Sequence, residues 1–186
     1  MLSQFPHRVL LQVALLGAAL PVFCAPAHAQ RVPRFGINGG VFFPSNSKTK
    51  DVFGSRFISI GPGFGETQVY QRKIYPDLDF LREKRGGDRA TVIFAGAKLL
   101  IPIGRPIVSE STVGFAPYSG IGVNLTYANI NAPSVGVQDK GFGVGASAIL
   151  GASFGGRFFT EGRYRLSTSA ADFNFSGIQL VIGARF

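Results

Sequence analysis

Six charged residues carry whatever chemistry this chain can offer inside a fold. Asp77 and Asp79 stand two residues apart, and Glu161, Arg163 and Arg165 continue the same spacing. On an extended strand, side chains at i and i+2 point to one face. Each set therefore presents its charges together. A carboxylate pair such as Asp77 and Asp79 can hold Ca²⁺, or divide the work of acid and base. Enclosed in a protein, the same pair needs cations beside it, because a buried charge without a partner is strongly disfavoured. Arg163, Arg165 and Lys98 can supply them.

Other chemistry is scarce. The chain has one Cys and two His, at Cys24, His7 and His28. All three fall in MLSQFPHRVLLQVALLGAALPVFCAPAHA, which reads as a secretory signal peptide. Arg8 and His7 supply the basic start, an apolar stretch runs from 9 to 23, and Ala27-His28-Ala29 is an A-x-A cleavage site. Cleavage after Ala29 gives a signal peptide of 1–29 and one domain of 30–186, which is 186 − 29 = 157 residues. That domain contains no His, Cys or Trp. No base is present to activate a hydroxyl near neutral pH, so an enzyme is not expected. The usual zinc and copper sites are missing as well, and no cofactor is expected. The glycine-rich GFGVG at 141–145 lacks the Lys of a phosphate loop and the helix of a dinucleotide site, and reads as small positions on a strand.

The elements that would position these charges are strands. Eight segments alternate with a period of two, at about 34–43, 56–65, 73–82, 91–103, 113–127, 141–154, 157–166 and 174–186. RGGD at 85–88 and Gly155-Gly156 are turn signals. SNSKTKDVFGS and ANINAPSVGVQD read as long polar loops. Pro62 weakens the second segment, because it removes a ladder donor, and the register over 56–75 is the least defined.

The two faces of these strands differ in kind. One is large and apolar, with Phe or Tyr near the strand ends. The other is Gly, Ser and Asn, with nearly all the strand charges: Arg34, Asp77, Asp79, Lys98, Glu161, Arg163, Arg165 and Arg185. An eight-stranded barrel is only just wide enough to be filled by its own side chains. The small, charged face suits that interior, and the bulky apolar face suits lipid. The expected fold is all-β, an eight-stranded antiparallel up-and-down transmembrane β-barrel, with the charges forming a lumen network.

RFFTEGRYR and the terminal FSGIQLVIGARF, taken with the signal peptide and the eight segments, resemble the small outer-membrane β-barrel family of the OmpA transmembrane domain and the OmpX- and OmpW-like proteins. The missing Trp departs from that pattern, and Phe and Tyr would have to serve at the membrane interface. The resemblance implies an outer-membrane location in a Gram-negative-type envelope. It also implies that Phe186 is the aromatic signal read by the barrel assembly machinery. The expected role is structural or surface-interacting, with the lumen closed by its ion pairs. The alternative is a narrow channel for small or hydrophobic solutes, along the glycine-rich faces of the fifth and sixth segments. The domain carries 18 − 10 = +8 charges. Basic residues gather at Lys48, Lys50 and Arg56 and at Arg82, Lys84, Arg85 and Arg89, where anionic lipid headgroups are the expected partners. Nucleic acid is not expected for an exported barrel.

Overall fold

The computed structural model describes residues 35–64, 73–104, 107–109, 112–155 and 157–186. Arg34 and Ala29 lie outside these residues. The chain runs through β1 (Phe35–Pro44), a helix α1 (Ser47–Phe53), β2 (Phe57–Phe64), β3 (Lys73–Arg85) and β4 (Asp88–Pro102). A short β5 (Ile107–Ser109) precedes the long β6 (Thr112–Ala132), a 3-10 turn at Pro133–Val135 and β7 (Val137–Phe154). β8 (Phe158–Ser167), a small hairpin of β9 (Ser169–Ala170) and β10 (Phe173–Asn174), and β11 (Gly177–Arg185) complete it. β1 pairs with β11 from Gly36↔Arg185 to Pro44↔Gly177, and β4 pairs with β6 from Arg89↔Asn131 to Pro102↔Tyr118. These pairings close eight antiparallel strands into an up-and-down barrel, with β5 added at one edge of β6. Closure removes the open sheet edges that neither water nor lipid tolerates well.

The alternation of residue types becomes an alternation of solvents. Ile121 (64% exposed), Leu150 (64%) and Ile182 (71%) face outward, while Asp79, Glu161 and Arg165 face inward and are fully buried. Two cross-strand aromatic pairs bracket the outward face of β6 and β7. Tyr127 and Phe142 meet at 5.1 Å between ring centroids, and Phe115 and Phe154 at 5.5 Å. Twelve residues separate Phe142 from Phe154. At about 3.4 Å per residue and a tilt near 45°, that interval spans roughly 28 Å of membrane normal, close to the apolar height of a barrel in lipid. An outer surface of this kind is stable in lipid and not in water. The fold is that of a membrane-spanning β-barrel.

The start of β1 and the end of β11 share one end of the barrel with the Gly155 turn, where the Arg157 N–H donates to the Phe154 carbonyl at 3.2 Å. The opposite end, which carries α1 and the β9–β10 hairpin, is called the lid end below. There the β3–β4 and β6–β7 turns are tied together. The Ser134 N–H and Oγ both donate to the Asp88 carboxylate, at 3.1 and 2.5 Å.

Several expected loops are structured. Most of ANINAPSVGVQD is strand, because Ala128, Ile130 and Ala132 point inward while Asn129 and Asn131 point outward above the apolar band. Polar residues on the outer face at that height imitate a loop in sequence. SNSKTKDVFGS contains α1, capped by Asn46, whose side chain accepts from the Thr49 N–H at 3.1 Å. The last strand begins at Gly177, not near Asn174, since the residues before it form the β9–β10 hairpin. β2 and β3 share only the register from Ile58↔Arg82 to Ile60↔Phe80, which ends two residues before Pro62.

The bilayer-facing band has a direct test. Ile121→Arg should cost about 2–4 kcal/mol of unfolding free energy, whereas Val135→Arg, in the turn beyond β6, should cost about 0–1 kcal/mol. Urea titration in phosphatidylcholine vesicles reads both. Equal effects would contradict the assignment of the band.

Candidate functional site

The interior of the barrel is the site to which the sequence points, and it has two layers. The middle layer is ionic. Glu161 on β8 accepts from Lys98 Nζ of β4 at 3.0 and 3.1 Å, from the Tyr118 hydroxyl of β6 at 2.9 Å, and from Arg163 Nε at 2.7 Å. Arg163 Nη1 reaches Asp77 at 3.2 Å and Asp79 at 2.5 Å, both on β3. Arg165 Nη2 bonds Asp77 at 3.1 Å and also Asp79. Its Nε donates to Gln179 Oε1 of β11 at 2.8 Å. The alternation of β3 and β8 places these charges, since i and i+2 share the inward face.

Three carboxylates and three cations make this layer neutral. Each carboxylate has at least two charged or hydroxyl donors, which is what permits charge at zero or near-zero exposure. Bidentate and bridging guanidinium contacts also fix the relative positions of β3 and β8, which are not neighbours in the sheet. Arg185 lies elsewhere. It stacks on the Phe159 ring at 4.6 Å and reaches Ser153 Oγ at 3.4 Å, toward the end with the Gly155 turn.

The second layer was not legible in the sequence. At the lid end, the interior is apolar, not small and polar. Phe42 of β1, Phe57 of β2 and Phe94 of β4 point inward beneath Phe53 of α1, Phe173 of β10 and Phe175. Their rings meet edge to face: Phe42 with Phe57 and Phe94 at 6.1 Å, Phe53 with Phe173 at 4.9 Å, and Phe57 with Phe175 at 6.2 Å. The only sequence signal for it was apolar side chains on the polar face of their strands. Phe42 follows Gly36, Asn38 and Gly40 in step.

Polar contacts hold this lid in place. Thr49 Oγ1 donates to the Asn174 carbonyl at 2.8 Å, and Lys48 Nζ to the Asp172 carbonyl at 3.2 Å. Arg85 Nη1 donates to the Asp51 carbonyl at 3.1 Å. The two layers meet where the Arg165 guanidinium lies 4.6 Å over the Phe94 ring, a cation–π contact between network and lid.

The glycine-rich faces of β6 and β7 are occupied as well. A Cβ at Gly141 would sit 2.3 Å from the Ala171 amide nitrogen, so the β9–β10 hairpin rests against the bare backbone there. A Cβ at Gly151 would sit 2.7 Å from the Tyr118 ring. Glycine is what admits both the hairpin and the ring.

Two outcomes follow. Glu161→Ala leaves Lys98 and Arg163 short of a counter-charge and should cost about 3–5 kcal/mol in urea unfolding. Adding Lys98→Met, which restores neutrality, should recover part of that loss. Phe53→Ala removes the ring by which α1 packs on Phe57 and on Phe173 of β10. It should expose Lys48, Lys50 and Arg56 to trypsin, while the heat-dependent gel shift of the folded barrel persists.

Among solved structures, the chain is similar to neisserial surface protein A, with a TM-score of 0.53 and 16% identity, over 82% of this chain and 94% of that one. No protein-family model matches the chain, and no curated protein matches it. At this identity the likeness shows the fold: a small, closed, eight-stranded β-barrel.

Proposed function

We propose that this chain is an outer-membrane β-barrel with a structural or surface-interaction role, of the kind represented by the OmpA transmembrane domain and the OmpX- and OmpW-like proteins. The observation that carries the reading is the double closure of the lumen. A neutral ion-pair layer fills the middle, and an aromatic lid fills the mouth above it. A barrel built for conduction would need a continuous wet path. In this one, the glycine faces of β6 and β7 hold the β9–β10 hairpin and the Tyr118 ring instead of a path.

In this reading residues 1–29 are an export signal cleaved after Ala29, and the lid end faces out of the cell. The short Gly155 turn, the start of β1 and the end of β11 then lie on the periplasmic side, as is usual for such barrels. Phe186, 75% exposed beyond the last strand, serves as the aromatic signal for the assembly machinery and as a lipid contact. The chain is not an enzyme, and its polar lumen residues hold each other in place.

The refolded domain, verified by its heat-dependent gel shift, should give no discrete conductance steps in a planar phosphatidylcholine bilayer. Reproducible single-channel steps would overturn the closed-lumen reading in favour of a narrow channel for small or hydrophobic solutes.

A further inference from the structure

The basic residues of the lid end are not spread evenly around the barrel. The register gathers four of them, Arg82, Lys84, Arg89 and Lys140, in two outward rows across four adjacent strands. Directly beyond the apolar band runs Phe80–Ile93–Tyr127–Phe142. The next row is Arg82–Thr91–Asn129–Lys140, and the row above it is Lys84–Arg89–Asn131–Gln138. Neighbouring strands lie about 4.8 Å apart and alternate residues about 7 Å apart, so the two rows form a patch roughly 14 Å wide and 7 Å high. Arg85, adjacent in sequence, is directed to the Asp51 carbonyl of the lid and does not join it. Lys140, which in the sequence falls between the polar loop before it and the alternating segment after it, joins it.

Three features define what this patch can hold. First, among the described residues no carboxylate forms an ion pair with Arg82, Lys84, Arg89 or Lys140. Second, the cations are interleaved with neutral hydrogen-bonding side chains. An open surface pocket of about 580 Å³ is lined by Arg89, Thr91, Asn129, Ile130, Asn131, Gln138 and Lys140. Asp139 also borders it, and its Oδ1 accepts from the Lys140 amide at 2.7 Å. Third, the patch sits immediately above the Tyr127–Phe142 pair, at the height of the headgroups.

We propose that this patch is a binding site for a phosphorylated glycolipid of the outer leaflet. Arg89 and Lys140, with Arg82 beside them, meet phosphate. Thr91, Asn129, Asn131 and Gln138 meet sugar hydroxyls, and Ile93, Tyr127 and Phe142 meet the acyl chains below. A glycerophospholipid would use the cations and leave most of the amides and the hydroxyl without a matching group. The placement of this leaflet at the lid end rests on the orientation proposed above.

The test is lipid retention by the refolded domain in detergent, read by native mass spectrometry. The probes are lipid A, a phosphorylated and acylated disaccharide, and phosphatidylglycerol. The wild-type barrel should retain lipid A in preference to phosphatidylglycerol. Arg89→Gln with Lys140→Gln should weaken lipid A retention about thirty-fold, since each basic residue near an anionic surface contributes roughly a factor of five. The control Lys50→Gln with Arg56→Gln, which removes equal charge at the first loop, should retain lipid A as the wild type does. Each variant is first checked for the heat-dependent gel shift. Unchanged retention in the Arg89/Lys140 variant would overturn the site. Equal retention of the two lipids would overturn the glycolipid assignment and leave a general anionic surface. Conductance is a separate measurement, so a channel would refute the closed lumen without touching this site.

Discussion

An eight-stranded barrel has interior room for its own side chains and for little else, and most of this structure answers to that limit. Whatever points inward must fit, and its charges must be paired with one another, although single atoms such as Arg165 Nη1 and Gln179 Nε2 are left without a partner among the described residues. At the height of Asp77, Asp79, Lys98, Glu161, Arg163 and Arg165, the solution is a charge-balanced set in which each side chain bonds to at least one opposite charge. Where large rings must pass, glycine supplies the room, as Gly151 does for Tyr118.

The lid end solves the same problem by other means. Phe42, Phe57 and Phe94 would be exposed to water at an open mouth, so their burial depends on α1 and the β9–β10 hairpin folding over them. The benefit is mutual. The apolar lid covers one side of the ion pairs, and low polarity on that side strengthens them, while any unpaired member would be correspondingly unfavourable. Arg165 belongs to both layers, through Asp79 on one side and the Phe94 ring on the other. Lid and network are therefore better regarded as one closure than as two.

The outer surface obeys a different solvent. Between the Phe115–Phe154 and Tyr127–Phe142 pairs it is apolar, and beyond the second pair it turns abruptly to Arg, Lys, Asn, Thr and Gln. Tyr and Phe occupy interfacial positions in a chain without Trp. The long β6 and β7 carry this face above the membrane, braced by the Asp88–Ser134 bonds. The chain thus presents an apolar band with a chemically distinct collar on one side.

The barrel itself was written in the alternation of side chains. Period two is a property of the strand backbone, so Ile178, Leu180 and Ile182 separate from Gln179, Val181 and Arg185 wherever the strand is placed. The pairing of Asp77 and Asp79 with Arg163 and Arg165 was likewise accessible, because spacing and charge balance leave few other arrangements inside a narrow barrel. The lid was not accessible. Thr49 and Asn174 meet across 125 residues, and neither SNSKTKDVFGS nor the stretch around Ala171 and Asp172 announces a partner. The same holds for Lys140, which has no assigned element until the register sets it beside Asn129. Local periodicity is encoded residue by residue. Which loop covers which mouth, and which charges share a row, is decided only when strands distant in sequence are brought into register.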